Sequence, residues 1–350
     1  MSDDLQPITL LRGARDAAIP TQRLAAVRAG AHALRAELLA AAPVVGLRTC
    51  ELVRVPYPTR YAFTGCFTGA PLTPPLIHIV NRMFVVRFQG HGGLKTLLFS
   101  PSDFEANAHT PFFARLARGG RMQPLVQRVL APICATVPAW LATLGIAAEE
   151  VDYLSYDHLH TQDLRRWLAG PNPYFPNARL LVMRAEWQSA QGLLPPQADW
   201  YCPKGTQGID PERVVQLDGD TLVGDGVALI HTPGHTRGNH SLVVHLGGEL
   251  LVSSENGVSA DAYRPAHSGL PAVRRYAAAT GTEVILNGNT QESGLDQYLS
   301  MVLEATLAGP CPHDERFANV MPSSEFTPSR LAPRMAPAFL FGDRQFGTLA

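Results

Sequence analysis

Little in this 350-residue chain draws it toward a polyelectrolyte or a bilayer. Charged residues make up only 17% of it, and 29 Lys and Arg nearly balance 30 Asp and Glu, for a formal net charge of −1. No large field of one sign is available to hold nucleic acid or an acidic membrane surface, so neither is an expected partner. No run of about 18 apolar residues free of charge occurs, which argues against a spanning helix. Met1, Ser2, Asp3 and Asp4 form an acidic, polar start without the basic and apolar segments of a secretory leader. The five cysteines (Cys50, Cys66, Cys134, Cys202 and Cys311) are odd in number and scattered, with no paired metal spacing. They read as reduced thiols of a cytoplasmic protein. The glycine-rich stretches lack the Gly-x-x-x-x-Gly-Lys phosphate cradle, and no internal repeat is evident. What the chain has in plenty is turn formers, 30 Gly and 29 Pro, within a composition that is 46% hydrophobic. That suits one or two folded domains with a large core and many loops.

Residues 21–42 carry Leu24, Val27, Ala31, Leu34 and Leu38 at three-to-four spacing, the stripe of an amphipathic helix. Thr21 is placed to cap it and Pro43 to end it. The same stripe offers a face to a second copy of the chain, so a homo-oligomer is open. Residues 46–66 look extended but broken by Pro56 and Pro58, whereas 76–88 and 94–99 read as two strands joined by a glycine-rich hairpin loop at 89–93. Helical patterns follow at 103–117 and 124–144. Further strands are expected at 178–184, 213–217, 227–231, 241–246, 249–253 and 283–286, with an irregular excursion at 186–212. Helices are expected at 269–279 and 294–307, and a tail rich in Pro and Phe, 310–350, is expected to wrap the surface.

Chemistry concentrates in two stretches. Asp157-His158-Leu159-His160-Thr161-Gln162-Asp163 follows the apolar run 150–156 and precedes a short helical pattern at 163–169 that Gly170 stops. Imidazoles at i and i+2 of an extended segment project from the same side, so both reach one ion. Farther on, the strand ending at His231 runs into Thr232-Pro233-Gly234, a rigid turn that presents His235 at its tip, and Gly238 is placed for a second bend. Other histidines read more plainly. His78, among Ile77, Ile79 and Val80, is a sheet histidine, His91 a solvated hairpin tip and His231 sheet packing, while nothing near Cys202 lowers a thiol pKa.

Together the two stretches resemble the metallo-β-lactamase-fold hydrolase superfamily, over roughly residues 76–306. The resemblance implies an α/β (α+β) fold, a four-layer αββα sandwich with its site at one edge of the two sheets. It would occupy 76–309, behind an N-terminal extension (1–75) packed on the core and before a tail (310–350). It also implies that His158, His160 and His235 form the first metal site, a tri-histidine set suited to zinc with one position open for water. The other half of the site departs from the pattern. Gln162 stands where the family has Asp, Asp163 where it has His, Glu255 where a bridging Asp is expected, and Asn289 near the place of the last His. Neutral amide oxygens are weak ligands for zinc.

The expectation is therefore a metal-dependent hydrolase of a small ester, lactone, thioester or amide. One zinc ion would sit on the three histidines. Glu255 would be a fourth ligand or hold the water, Asp163 could be an additional ligand, and Asp163 or Glu255 would accept the proton from the water. Gln162, His240 and Asn289 would stand around these groups. The alternatives are a two-metal site of manganese or iron built on Asp163, Glu255 and Asn289, iron-dependent chemistry other than hydrolysis, and a non-catalytic chain whose site has decayed.

Overall fold

In the computed structural model, which describes residues 5–68, 73–119, 130–288 and 293–349, the alternation of side chains along the strands decides the layering. The strands begin with β1 (Gln6–Pro7), β2 (Gly46–Pro58), β3 (Leu76–Gly90), β4 (Gly93–Phe99), β5 (Tyr153–Ser155), β6 (Arg179–Met183) and β7 (Val214–Leu217). They continue with β8 (Thr221–Gly224), β9 (Val227–His231), β10 (His240–His245), β11 (Leu250–Ser253), β12 (Pro310–Cys311), β13 (Asp314–Ala318), β14 (Ser324–Thr327) and β15 (Gln345–Gly347). The larger sheet runs β15-β2-β3-β4-β5-β6-β7, antiparallel up to β4 and parallel beyond it. β14 also joins it, pairing with residues 78–81 of β3 while β4 pairs with 84–90. The second sheet, β1-β8-β9-β10-β11, is antiparallel throughout.

Phe84, Val86 and Phe88 of β3 point, with Leu97 and Phe99 of β4, into a core shared with Val227, Leu229, Leu242, Val244 and Leu251 of the second sheet. Their neighbours Met83, Val85 and Leu98 point the other way, toward Val137 and Leu141 of helix Val137–Leu144 and Trp167 and Leu168 of helix Arg165–Leu168. On the second sheet, Ala228, Ile230, Val243, Leu250 and Val252 face a third core under helices Pro20–Ala40 and Gly294–Ala308. The order is helix, sheet, sheet, helix, the expected αββα sandwich. Each buried Leu, Val or Phe contributes about 1.5–3 kcal/mol, so the two faces of each sheet act as separate adhesive surfaces.

Several elements differ from the sequence expectation. The N-terminal helix starts with Pro20 in its first turn and has no side-chain cap, so Thr21 is not its cap. Its Val27, Ala31, Leu34 and Leu38 are buried in this chain's own core, so the stripe is not open to a second copy. β2 runs unbroken through Pro56 and Pro58, because β15 covers only residues 46–48 of its outer edge and the missing N–H groups interrupt no ladder there. The pattern at 103–117 splits into helices Phe104–Asn107 and Pro111–Gly119. That at 124–144 is described only from 130, with its helix at Val137–Leu144. The stretch 186–212 is not wholly irregular: it continues helix Arg184–Gln191 and includes helix Pro195–Ala198. Residues 283–286 form no strand, while β8 has no counterpart in the expected set. The tail does more than cover the surface, since β14 and β15 are members of the larger sheet. No described helix is long and apolar enough to cross a membrane.

Candidate metal centre and its cavity

β5 belongs to the larger sheet and β9 to the second, and both end at the same edge of the sandwich. Past β5 the chain turns sharply, with Thr161 at φ 61°, and brings His158 and His160 inward. Past β9, Gly234 takes φ 148°, and a Cβ there would lie 2.2 Å from Gln297 Cα, so only glycine lets the Thr-Pro-Gly turn seat His235 against helix Gly294–Ala308. One nitrogen from each of His158, His160 and His235 lies within 4.8 Å of the other two, and all three residues are buried. His160 Nδ1 is 3.3 Å from His235 Nε2. Two nitrogens bound to one tetrahedral zinc at about 2.0–2.1 Å would stand roughly 3.3 Å apart.

Two of the remaining ring nitrogens are tied off. His158 Nδ1 is 2.8 Å from Asp157 Oδ1, and His235 Nδ1 is 3.1 Å from the Asn287 carbonyl oxygen. Such bonds set the tautomer and leave the opposite nitrogen with its lone pair for a metal. Burial, reinforced by His158, pushes His235 down to about 3 and His160 well below the usual imidazole range, so both are neutral donors. His158 runs the other way, because Asp157 offsets the effect of burial.

Charge also calls for a cation. Asp157, Glu186 and Glu255 are all buried around the histidines, and among the described residues none of them pairs with Lys or Arg. Carboxylates buried beside the ligands are costly to ionise, and a divalent ion on the histidines would offset that cost. Burial and the charge of Asp157 push the Glu255 carboxyl up to about 8. The donor set fits a zinc-like ion.

The residues singled out in the sequence fare unequally. Glu255 lines the same cavity as the three histidines. Asp163 does not: its Oδ1 accepts from the Arg165 backbone N–H (3.0 Å) and Nε (2.9 Å), and its Oδ2 is 3.6 Å from Cys202 Sγ. A guanidinium two residues away has captured the carboxylate, so Asp163 is not placed as base or ligand. Gln162 lines the cavity, but its Oε1 already accepts from Ser102 Oγ (3.0 Å) and Asn107 Nδ2 (3.3 Å). His240 stands behind the site. Its backbone N–H donates to the Asp157 carbonyl (2.9 Å) and its Nε2 meets Ser155 Oγ (2.9 Å), which holds the end of β5. Asn289 lies outside the described residues. Gly238 is not at positive φ; a Cβ there would meet Glu186 N at 2.2 Å, so close approach, rather than a second bend, explains this glycine. Cys202 is buried with its thiol pushed up to about 12, and His78 is a satisfied sheet histidine, 2.7 Å from the Leu130 carbonyl.

Sequence reasoning missed Ser323, Asn287 and Glu186. Ser323 comes from the tail, beside β14, and its Oγ donates to Glu255 Oε2 (2.8 Å) and also contacts Asp157 Oδ2. Asn287 Nδ2 donates to the Glu255 carbonyl (3.1 Å) while its own carbonyl takes His235 Nδ1. None belongs to a spaced motif; only the tertiary contacts reveal them.

The histidines, Glu255 and Ser323 form the polar end of a cavity of about 440 Å³. Its other walls are largely apolar, with Val53, Val55, Ile79, Phe104, Phe113 and Leu116 among them. A polar end and largely apolar walls are the lining typical of small-molecule cavities.

No family model matches the chain. It is 34% identical over 104 residues to an N-acyl homoserine lactonase from a Bacillus species, covering 30% of this chain and 37% of that protein. It is 31% identical over 112 residues to an N-acyl homoserine lactonase of Bacillus cereus, covering 32% and 40%. The chain thus spans about 37 to 40% of the length of these curated relatives. Among solved structures, a probable metal-dependent hydrolase from Staphylococcus aureus matches with a TM-score of 0.51 at 11% identity, over 73% of this chain and 82% of that one. That likeness concerns the fold.

Proposed function

We infer that this chain, whose fold is that of the metallo-β-lactamase superfamily, is a metal-dependent hydrolase of a small lactone or related ester. The observation that carries the reading is the set of three buried histidine nitrogens within 4.8 Å of one another at the polar end of the cavity. The preference for a lactone over a thioester or amide rests on the stretches of 104 and 112 residues shared with the two Bacillus lactonases. Three imidazoles suit zinc, and we take one ion per chain. A second ion would find the Asp163 carboxylate held by Arg165 and the Gln162 carbonyl already accepting two hydrogen bonds. For the same reason neither a manganese nor an iron pair is favoured.

When bound, the ion supplies an acidified water and polarises the scissile carbonyl. The chain's own residues do the rest. His158, His160 and His235 hold the ion, with the His158 ring fixed by Asp157 and the His235 ring by the Asn287 carbonyl. Of the two carboxylates that could serve as base, Glu255 is the one at the cavity end. The charge of a bound ion would favour its ionised form, which would receive the proton, and Ser323 Oγ orients it through Oε2. The apolar walls exclude water from the rest of the substrate and hold its acyl portion.

The test is metal content followed by hydrolysis. Chain purified without metal and reloaded is expected to hold about one zinc and to open a lactone ring, read as acid release in a pH-stat. Less than a few tenths of an equivalent, with no hydrolysis after zinc or manganese addition, sinks the reading. Two equivalents sink the single-ion assignment alone, and iron loading with oxygen uptake points to the oxidative alternative.

A further inference from the structure

We propose that Glu186 is a positioning residue that locks the two metal-binding loops together, and that metal affinity depends on it. The inference rests on the tri-histidine metal reading above and adds a residue to it. Glu186 lies on helix Arg184–Gln191, just past β6, and is fully buried. Its Oε1 accepts the backbone N–H of Leu159 (2.9 Å), the residue between His158 and His160. The same oxygen accepts Tyr201 O–H (2.8 Å), and Oε2 accepts the Thr236 hydroxyl (2.6 Å), next to His235. One carboxylate therefore spans 77 positions of sequence, from Leu159 to Thr236 (236 − 159), and fixes the separation of the histidines that must share an ion.

Two independent observations support the role. The helix presses against the second loop so closely that a Cβ on Gly238 would fall 2.2 Å from Glu186 N and 2.4 Å from Glu186 Cβ. Glu186 also makes no ion pair with Lys or Arg among the described residues, and two of its three hydrogen-bond donors, Leu159 and Thr236, belong to the metal loops. Groups that orient metal ligands from behind typically change metal affinity by about 10- to 100-fold when removed.

The experiment is a zinc competition titration against a chromogenic chelator, run on the full chain. Glu186→Ala is expected to lose zinc affinity at least ten-fold. Glu186→Gln keeps an acceptor for Leu159 and a donor that the Thr236 hydroxyl can face, so it is expected to recover most of that affinity. Thr236→Val, a milder change that keeps the fold if Glu186→Ala does not, is expected to lose three- to ten-fold. Leu34→Ala, in the core under the N-terminal helix, is the control, expected to lower thermal stability and leave zinc affinity unchanged. Native-like zinc affinity in both Glu186→Ala and Thr236→Val overturns the proposal, as does an equal affinity loss in Leu34→Ala. Failure of the native chain to bind zinc overturns the metal reading itself and the proposal with it.

Discussion

Ser323 Oγ donates to Glu255 Oε2 at 2.8 Å, across 68 positions of sequence, and so ties the C-terminal tail to the candidate base. The same hydroxyl contacts Asp157, the residue that holds the His158 ring. A serine that reaches both carboxylates fixes where each points relative to the histidines. Replacing Ser323 with Ala removes a hydrogen bond to the Glu255 carboxyl, worth about 1–3 kcal/mol. We expect kcat/KM for lactone opening to fall about ten-fold or more, with zinc content unchanged; wild-type kinetics in this variant would show that Ser323 does not orient Glu255.

Glu255→Gln keeps the shape of the side chain and removes its capacity to take a proton. If Glu255 is the base, kcat should drop about 100-fold or more while zinc content and thermal stability stay near native. Asp163→Asn, by contrast, should lower stability through its lost pairing with Arg165 and leave kcat within a few-fold. The opposite ranking in steady-state kinetics would return the base to Asp163.

The tail is also anchored below the site. Arg82 and Glu325 are fully buried and joined at 3.0 Å, and the Arg82 backbone N–H donates to the Ser323 carbonyl. Arg82→Ala strands the Glu325 carboxylate in the core and is expected to cost about 3–5 kcal/mol in urea unfolding. The double replacement Arg82→Met with Glu325→Leu should recover much of it. A loss under about 1 kcal/mol in the single variant would mean that Glu325 finds another partner.

Asp220 accepts the His231 backbone N–H at 2.7 Å, and burial pushes its carboxyl up to about 6 from an ordinary 3.8. A raised pKa means that the folded chain keeps this proton between roughly pH 4 and 6 while the unfolded chain releases it, so ionisation weakens the fold as pH rises through that window. Asp220→Asn lacks this titration. Relative to native, its stability should therefore improve from about pH 4 to pH 6 and level off above, in urea melts at each pH. A stability difference that is flat with pH would place the Asp220 carboxyl near its ordinary value.

Gly238→Ala places a methyl group against Glu186 N, where backbone must move to admit it. We expect a loss of about 1–3 kcal/mol, the usual cost of overpacking, and weaker zinc binding in the same protein. Native stability in a thermal melt would show that helix Arg184–Gln191 yields without strain.

Much of the layout is legible from residues alone, because it rests on local periodicity. Apolar runs bounded by turn residues mark β3, β4, β9, β10 and β11, and three-to-four spacing marks the N-terminal helix. The close spacing of His158 and His160 is legible, although β5 ends at Ser155 and both lie in the turning segment beyond it rather than on a strand. His235 is legible because Thr-Pro-Gly forces a turn whatever surrounds it. The tail strand β14 is not, since a four-residue strand gains its place from β3 and not from its own pattern.

Residue type and short spacing settle which side chains could serve a metal, and continuous apolar runs mark strands covered on both faces. Whether each of those side chains is free to act depends on contacts between distant parts of the chain. Asp163 and Glu255 are both carboxylates in suggestive positions, yet Arg165 holds the first away from the cavity and Ser323 holds the second at its polar end. Glu186 carries no local signal, and its role comes wholly from donors at Leu159 and Thr236 that the fold brings to it. The reason is physical. Periodicity is a property of neighbours along the chain, whereas the direction of a buried carboxylate is set by whichever donors surround it in space.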